Sequence, residues 1–133
     1  MGYEEFLSAV EEMDFVENRE QADSLIKGTF GILASELDEE HARVLTSKLP
    51  EPLTFEKLRG HQRYRLRISF DQYLETLSGE FNLHREHSER LVEILFGMML
   101  KAVDTESFNE VKNSLPEDWR GVMEEKAAEK HRA

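Results

Sequence analysis

The residues best suited to chemistry in this chain are a histidine pair, a run of arginines and an abundance of carboxylates. His84 and His87 form an H-x-x-H pair, a spacing that on a helix puts both imidazoles on one face, compatible with metal coordination. A zinc site needs at least one further protein ligand, and Glu80 and Glu86 are only generically near. With His61 and neighbouring carboxylates, His84 and His87 could serve a small-ligand or metal-binding helical protein, or a small hydrolase. The plainer expectation is that His84 and His87 are capping residues, because they recur where Asn18 and Gln21 stand in an earlier copy of the same pattern.

The arginines are more unusual. In "RGHQRYRLRIS", Arg59, Arg63, Arg65 and Arg67 accompany Tyr64. Planar guanidinium groups with an interleaved aromatic ring can grip a phosphate, an RNA strand or an acidic protein surface. The same residues can equally neutralise the chain's own carboxylates, through surface pairs worth up to about 1 kcal/mol each. If any residues contact a partner or an anion, Arg59, Arg63, Tyr64, Arg65 and Arg67 are the expected ones.

Carboxylates are too common to be informative by themselves. Glu11-Glu12 or Asp38-Glu39-Glu40 could be written as an acid/base pair, but in a chain with 28 Asp and Glu residues such clusters are first of all a solvated face. The phosphate-binding glycine loop, the G-x-S-x-G elbow and the H-E-x-x-H helix are all missing from the sequence. No catalytic residue is assigned and no cofactor is expected.

The 133 residues that must position these groups carry a formal charge of -11, with 39% hydrophobic and 34% charged residues. That is the composition of a chain that folds as one unit. The charge is uneven: Met1 to Leu53 carries -9, Thr54 to Ser69 carries +4 and Phe70 to the end carries -6. Two acidic blocks around a basic middle repel polyanions, which disfavours nucleic acid and anionic membrane as partners. Without cysteine there is no disulfide and no thiolate chemistry. With no signal-like start and no apolar run of spanning length, a cytoplasmic protein is expected.

The chain states its pattern twice. "FGILASELDEEHARVLTSKLPE" from Phe30 is loosely repeated by "FGMMLKAVDTESFNEVKNSLPE" from Phe96. At an offset of 66, Arg19-Glu20 meet Arg85-Glu86, Leu25 meets Leu91, Asp38 meets Asp104, and Leu49-Pro50-Glu51 meet Leu115-Pro116-Glu117. One residue more brings Tyr3, Phe6, Leu7 and Val10 onto Phe70, Tyr73, Leu74 and Leu77, so the first copy has one extra residue near Met13. The apolar spacing is helical throughout. It predicts helices over 3–13, 19–37, 39–48, 70–80, 85–103 and 105–114, with Asn18, Asp38 and Asp104 as N-caps and Pro50 and Pro116 ending the third helices.

The expected fold is therefore all-α, a helical bundle of two tandem three-helix repeats related by pseudo-twofold symmetry, plus a C-terminal helix. Repeat one spans 3–53, a basic linker 54–69, repeat two 70–119 and the last helix 117–130, with a frayed end. Gly31 and Gly97 interrupt equivalent helices beside Phe30 and Phe96. Since a mid-helix glycine costs about 1 kcal/mol relative to alanine, these four are expected to be structural, marking a place where the two long middle helices cross.

The paired motifs, with "YEEFLSAV" near the start and "LPE" after each acidic third helix, resemble the bacterial family called domain of unknown function 2267, from about Tyr3 to about Met123. The resemblance implies an all-helical protein and brings no established activity or catalytic residue. Paired helical repeats offer grooves and the sequence offers no convergent chemistry, so the preferred function is a protein-interaction or regulatory module. Its partner is an unidentified protein, and self-association is compatible with the same surfaces.

Overall fold

Each apolar stripe closes into a helix because its residues recur at three- and four-residue intervals and its ends carry caps. The computed structural model describes residues 1–59 and 67–132, and these are 77% helical with no strand. Among the described residues the elements are α1 (Tyr3–Glu11), α2 (Arg19–Glu36), α3 (Glu39–Lys48), α4 (Phe55–Arg59), α5 (Phe70–Phe81), α6 (Arg85–Ala102), α7 (Thr105–Asn113) and α8 (Glu117–Arg132). The six helices expected from periodicity are present, each within two residues of its expected ends.

Asn18 accepts the Gln21 N–H at 2.8 Å, Asp38 that of His41 at 2.8 Å and Asp104 that of Ser107 at 3.1 Å. Each satisfies a donor that the first helical turn leaves without an internal partner. His84 departs from this pattern. It occupies the N-cap of α6 without a side-chain cap bond, and the His87 N–H is taken instead by the His84 backbone carbonyl at 3.0 Å. An imidazole is larger and less compact an acceptor than an Asn side chain, so His84 holds the cap position without making the cap bond that Asn18 makes.

One apolar cluster runs through the whole fold. Helix α1 packs on α2 and on α6, α5 on α6 and on α2, and α3 on α7. Helix α4 lies against α2 and α3, and α8 against α6 and α7. The aromatic part of the core has Phe6 edge-on to Phe30 at 6.0 Å and Tyr73 between Phe96 at 6.2 Å and Trp119 at 4.6 Å. The fully buried Tyr73 hydroxyl donates to the Thr29 carbonyl at 2.8 Å, tying α5 to α2. Burial holds that phenol well above its ordinary pKa, so it remains a donor.

The exit of the basic segment is held from three sides. The Ile68 N–H donates to the buried Glu36 at 3.1 Å, the Trp119 indole donates to the Ile68 carbonyl at 3.0 Å, and the Phe70 N–H donates to Asp118 at 2.7 Å. Helix α8 spans Glu117–Arg132. Its Ala, Glu and Lys residues favour helix, and Lys126 pairs with Glu93 at 3.4 Å and Glu129 at 3.2 Å.

The glycines correct the expected crossing. A Cβ at Gly31 would meet only the Leu58 carbonyl of α4 at 3.5 Å, and one at Gly97 would meet nothing within 4 Å. The two long helices therefore do not approach each other at these residues. The close approach lies at Gly28, where an added Cβ would overlap the Phe81 ring at the end of α5.

Candidate functional site

Helix α6 turns Leu91, Val92, Leu95, Phe96 and Met99 into the core. Its opposite side carries Arg90, Glu93, Ile94, Gly97, Met98 and Lys101, of which Ile94, Gly97 and Met98 are half-buried and the charged residues exposed. These half-buried residues sit low because α1 and α8 rise on either side. Between the flanking helices lies a trough of about 620 Å³ whose floor is Ala9, Ile94, Gly97, Met98 and Leu100. Glu93, Lys101, Lys126 and Glu129 form its rim.

Towards the start of α6 the trough shares Ala9 and Ile94 with a second recess of about 450 Å³. Its wall is made by Met13 and by Phe15 stacked on His87, ring centres 4.2 Å apart and planes 12° from parallel. Glu12, Glu86 and Arg90 surround it. A continuous apolar floor with charged edges is what an amphipathic helix needs for docking.

The residues singled out in the sequence fall elsewhere or in other roles. Arg63, Tyr64, Arg65 and His61 lie outside the described residues, and of Arg59 only the backbone, at the end of α4, is described. Arg67 is exposed and holds a left-handed backbone conformation with φ 53°, which costs a residue with a Cβ on the order of 1–3 kcal/mol. It lines a recess together with Glu36 and Asp118, so an anion placed there would face two carboxylates. The rings of His84 and His87 lie 5.2 Å apart, but His87 is engaged by Phe15, and among the described residues no group of three or more His, Asp or Glu could hold a metal ion. Phe30 and Phe96 are fully buried.

The perturbed ionisable groups belong to the scaffold. The Tyr3 hydroxyl donates to Asp23 at 2.6 Å, and burial followed by that carboxylate pushes the phenol well above its usual range. For Asp23, burial acts upwards, but hydrogen bonds from Tyr3 and Lys27 outweigh it and hold the carboxyl below its ordinary value of 3.8. Arg19 likewise holds Glu4 low by a hydrogen bond. None of these groups lines the trough.

Sequence reasoning noticed Gly97 but placed it at a helix crossing, whereas nothing lies within 4 Å of a Cβ there. What could have pointed to the trough was the offset of 66 in the sequence, which sets Ser35 against Lys101: the first is 2% exposed and the second exposed. No helix among the described residues is long and apolar enough to cross a membrane. The sequence profile of a family described as "Uncharacterized conserved protein (DUF2267)" matches residues 3–122, and the chain belongs to that family. No curated protein matches the chain.

Proposed function

We propose that this member of the DUF2267 family is a cytoplasmic protein-interaction or regulatory module without catalysis, and that the trough along α6 is where a partner protein docks. The observation that carries this is the open strip at Gly97: a half-buried apolar floor with no side chain over it, walled by α1 and α8. The reading includes an architecture of two repeats related by a pseudo-twofold axis, supported by the paired contacts of α1 with α2 and α5 with α6, and of α1 with α6 and α5 with α2, which match under exchange of the halves; the open strip is a place where the halves differ. In this architecture Arg59, Arg63, Tyr64, Arg65 and Arg67 form a second contact surface, directed at acidic protein rather than nucleic acid.

Affinity capture from native lysate tests this with three baits: wild type, Met98→Glu, and an Arg63/Arg65/Arg67→Ala variant, each shown to be folded by circular dichroism. A discrete partner lost from Met98→Glu is expected, and retention by that variant would remove the trough from consideration. Loss from the arginine variant would add the second surface. Equal capture by wild type and arginine variant would make the arginines internal stitching.

A further inference from the structure

We infer that the occupant of the trough is a short, basic, amphipathic helix presented by a partner, and that the chain carries its own template for that contact in α4. This rests on the docking role proposed above and names the chemistry of the partner. The strip Ile94, Gly97, Met98 and Lys101 on α6 stands at the same register as Gly28, Gly31, Ile32 and Ser35 on α2. On α2 the strip is touched at two places and closed at its end: Phe81 of α5 lies over Gly28, the Leu58 carbonyl of α4 lies 3.5 Å from where a Gly31 Cβ would be, and Ser35 is 2% exposed, while Gly28, Gly31 and Ile32 are half-buried. On α6 Ile94, Gly97 and Met98 are half-buried as well, but nothing lies within 4 Å of a Gly97 Cβ and Lys101 at the end of the strip is exposed.

The cover on α2 shows what chemistry suits such a strip. Helix α4, FEKLR, presents Phe55 and Leu58 one turn apart against the core, with Lys57 exposed. It belongs to a segment, Thr54 to Ser69, of net charge +4 in a chain of -11. On α6 the fit is to positive charge as well. Glu12, Asp14, Glu86, Glu93 and Glu129 line the two recesses against Arg90, Lys101 and Lys126, with Lys126 paired to Glu93 and Glu129, so the excess of negative charge lies in the recess at the start of α6, where Glu12, Asp14 and Glu86 meet Arg90 alone. A second copy of this acidic chain would bring its own carboxylates to that rim, whereas a basic helix is drawn to it. Gly97 lets a backbone come close while apolar side chains spaced three or four residues apart enter beside Ile94 and Met98.

The probe is a fluorescent peptide of residues 54–69 added to the intact protein, with anisotropy for affinity and amide shifts for location. The control peptide has Lys57, Arg59, Arg63, Arg65 and Arg67 replaced by Glu. Gly97→Leu is the blocking variant, chosen because its side chain points into open space and leaves the fold intact. Expected are saturable, salt-sensitive binding, shifts centred on Ile94, Gly97, Met98 and Lys101, and a loss of about tenfold or more with Gly97→Leu or the control peptide. Equal binding by the control peptide, shifts centred on Gly31, or no binding would overturn the basic-helix occupant. Sedimentation showing a wild-type dimer that Gly97→Leu dissociates would also overturn it, naming a second copy as occupant and leaving the docking role standing. If Gly97→Leu changed neither self-association nor lysate capture, the docking role itself would fall.

Discussion

Replacing Gly28 and Gly97 by alanine should separate two glycines that look alike in a helical sequence. Each substitution removes the cost of a mid-helix glycine, about 0.8–1 kcal/mol. At Gly97 nothing lies within 4 Å of the new Cβ, so the whole gain should appear as stability. For 133 residues, at about 2.1 cal/mol/K per residue, the unfolding entropy near the midpoint is roughly 280 cal/mol/K, so that gain raises Tm by about 3–4 °C. At Gly28 the same methyl overlaps the Phe81 ring, which must swing out and give up packing. Overpacking of this kind costs about 1–3 kcal/mol, so Gly28→Ala should come out between neutral and about 2 kcal/mol destabilised, a Tm from unchanged to about 7 °C lower. Urea denaturation and calorimetry on both variants and on Phe81→Ala provide the assay. In the Phe81→Ala background Gly28→Ala should recover its propensity gain, a coupling read directly from the double-mutant cycle. A Gly28→Ala protein as stabilised as Gly97→Ala would refute the close approach of α5 to α2.

Three further outcomes are expected. Asn18→Ala should cost about 1 kcal/mol by removing a cap bond, whereas His84→Ala should cost little, and His84→Asn should stabilise by about 1 kcal/mol; equal losses for Asn18→Ala and His84→Ala would contradict the cap geometry. Trp119→Phe keeps most of the buried ring but leaves the Ile68 carbonyl without its indole donor, so a loss of about 1–3 kcal/mol in urea denaturation is expected, and an unchanged midpoint would discount that bond. Asp23 has a depressed pKa, so its contribution is present above the ordinary value of 3.8 and is lost as pH falls through the lower folded value. The stability difference between wild type and Asp23→Asn should thus shrink from about pH 6 to about pH 3, and a constant difference would show that the carboxylate is not held as described.

The helices were legible because their information is local. Apolar spacing, Asn18, Asp38 and Asp104 fix spans within a turn, and neither caps nor stripes need knowledge of distant residues. The contacts that give the molecule its working surfaces join residues far apart in the chain. Nothing near Gly28 announces Phe81, nothing near Phe15 announces His87, and nothing in the last helix states that its polar second half leaves the floor around Gly97 open. The paired sequence motifs speak of likeness, and the candidate site lies where their surroundings differ: the Leu58 carbonyl of α4 stands 3.5 Å from a Gly31 Cβ, while nothing lies within 4 Å of one at Gly97. The histidine pair shows the same limit, since H-x-x-H is a statement about one helix, whereas His87 is engaged by Phe15 from another segment.

The clasp between Trp119 and Ile68 also sets an order of events during synthesis. These residues are 51 positions apart, and Asp118 reaches back 48 positions to Phe70. At about 5–20 residues per second on a ribosome, the indole is made roughly 3–10 s after the carbonyl it must meet. Helix α4 is made directly after α2 and α3, against which it lies, so the first half can pack around Gly31 early, while Gly28 waits for Phe81 at the end of α5. The second half waits, with the stripes of α5 and α6 short of their last cover. A synonymous change that slows translation between Phe70 and Trp119 would lengthen that interval without altering a single residue.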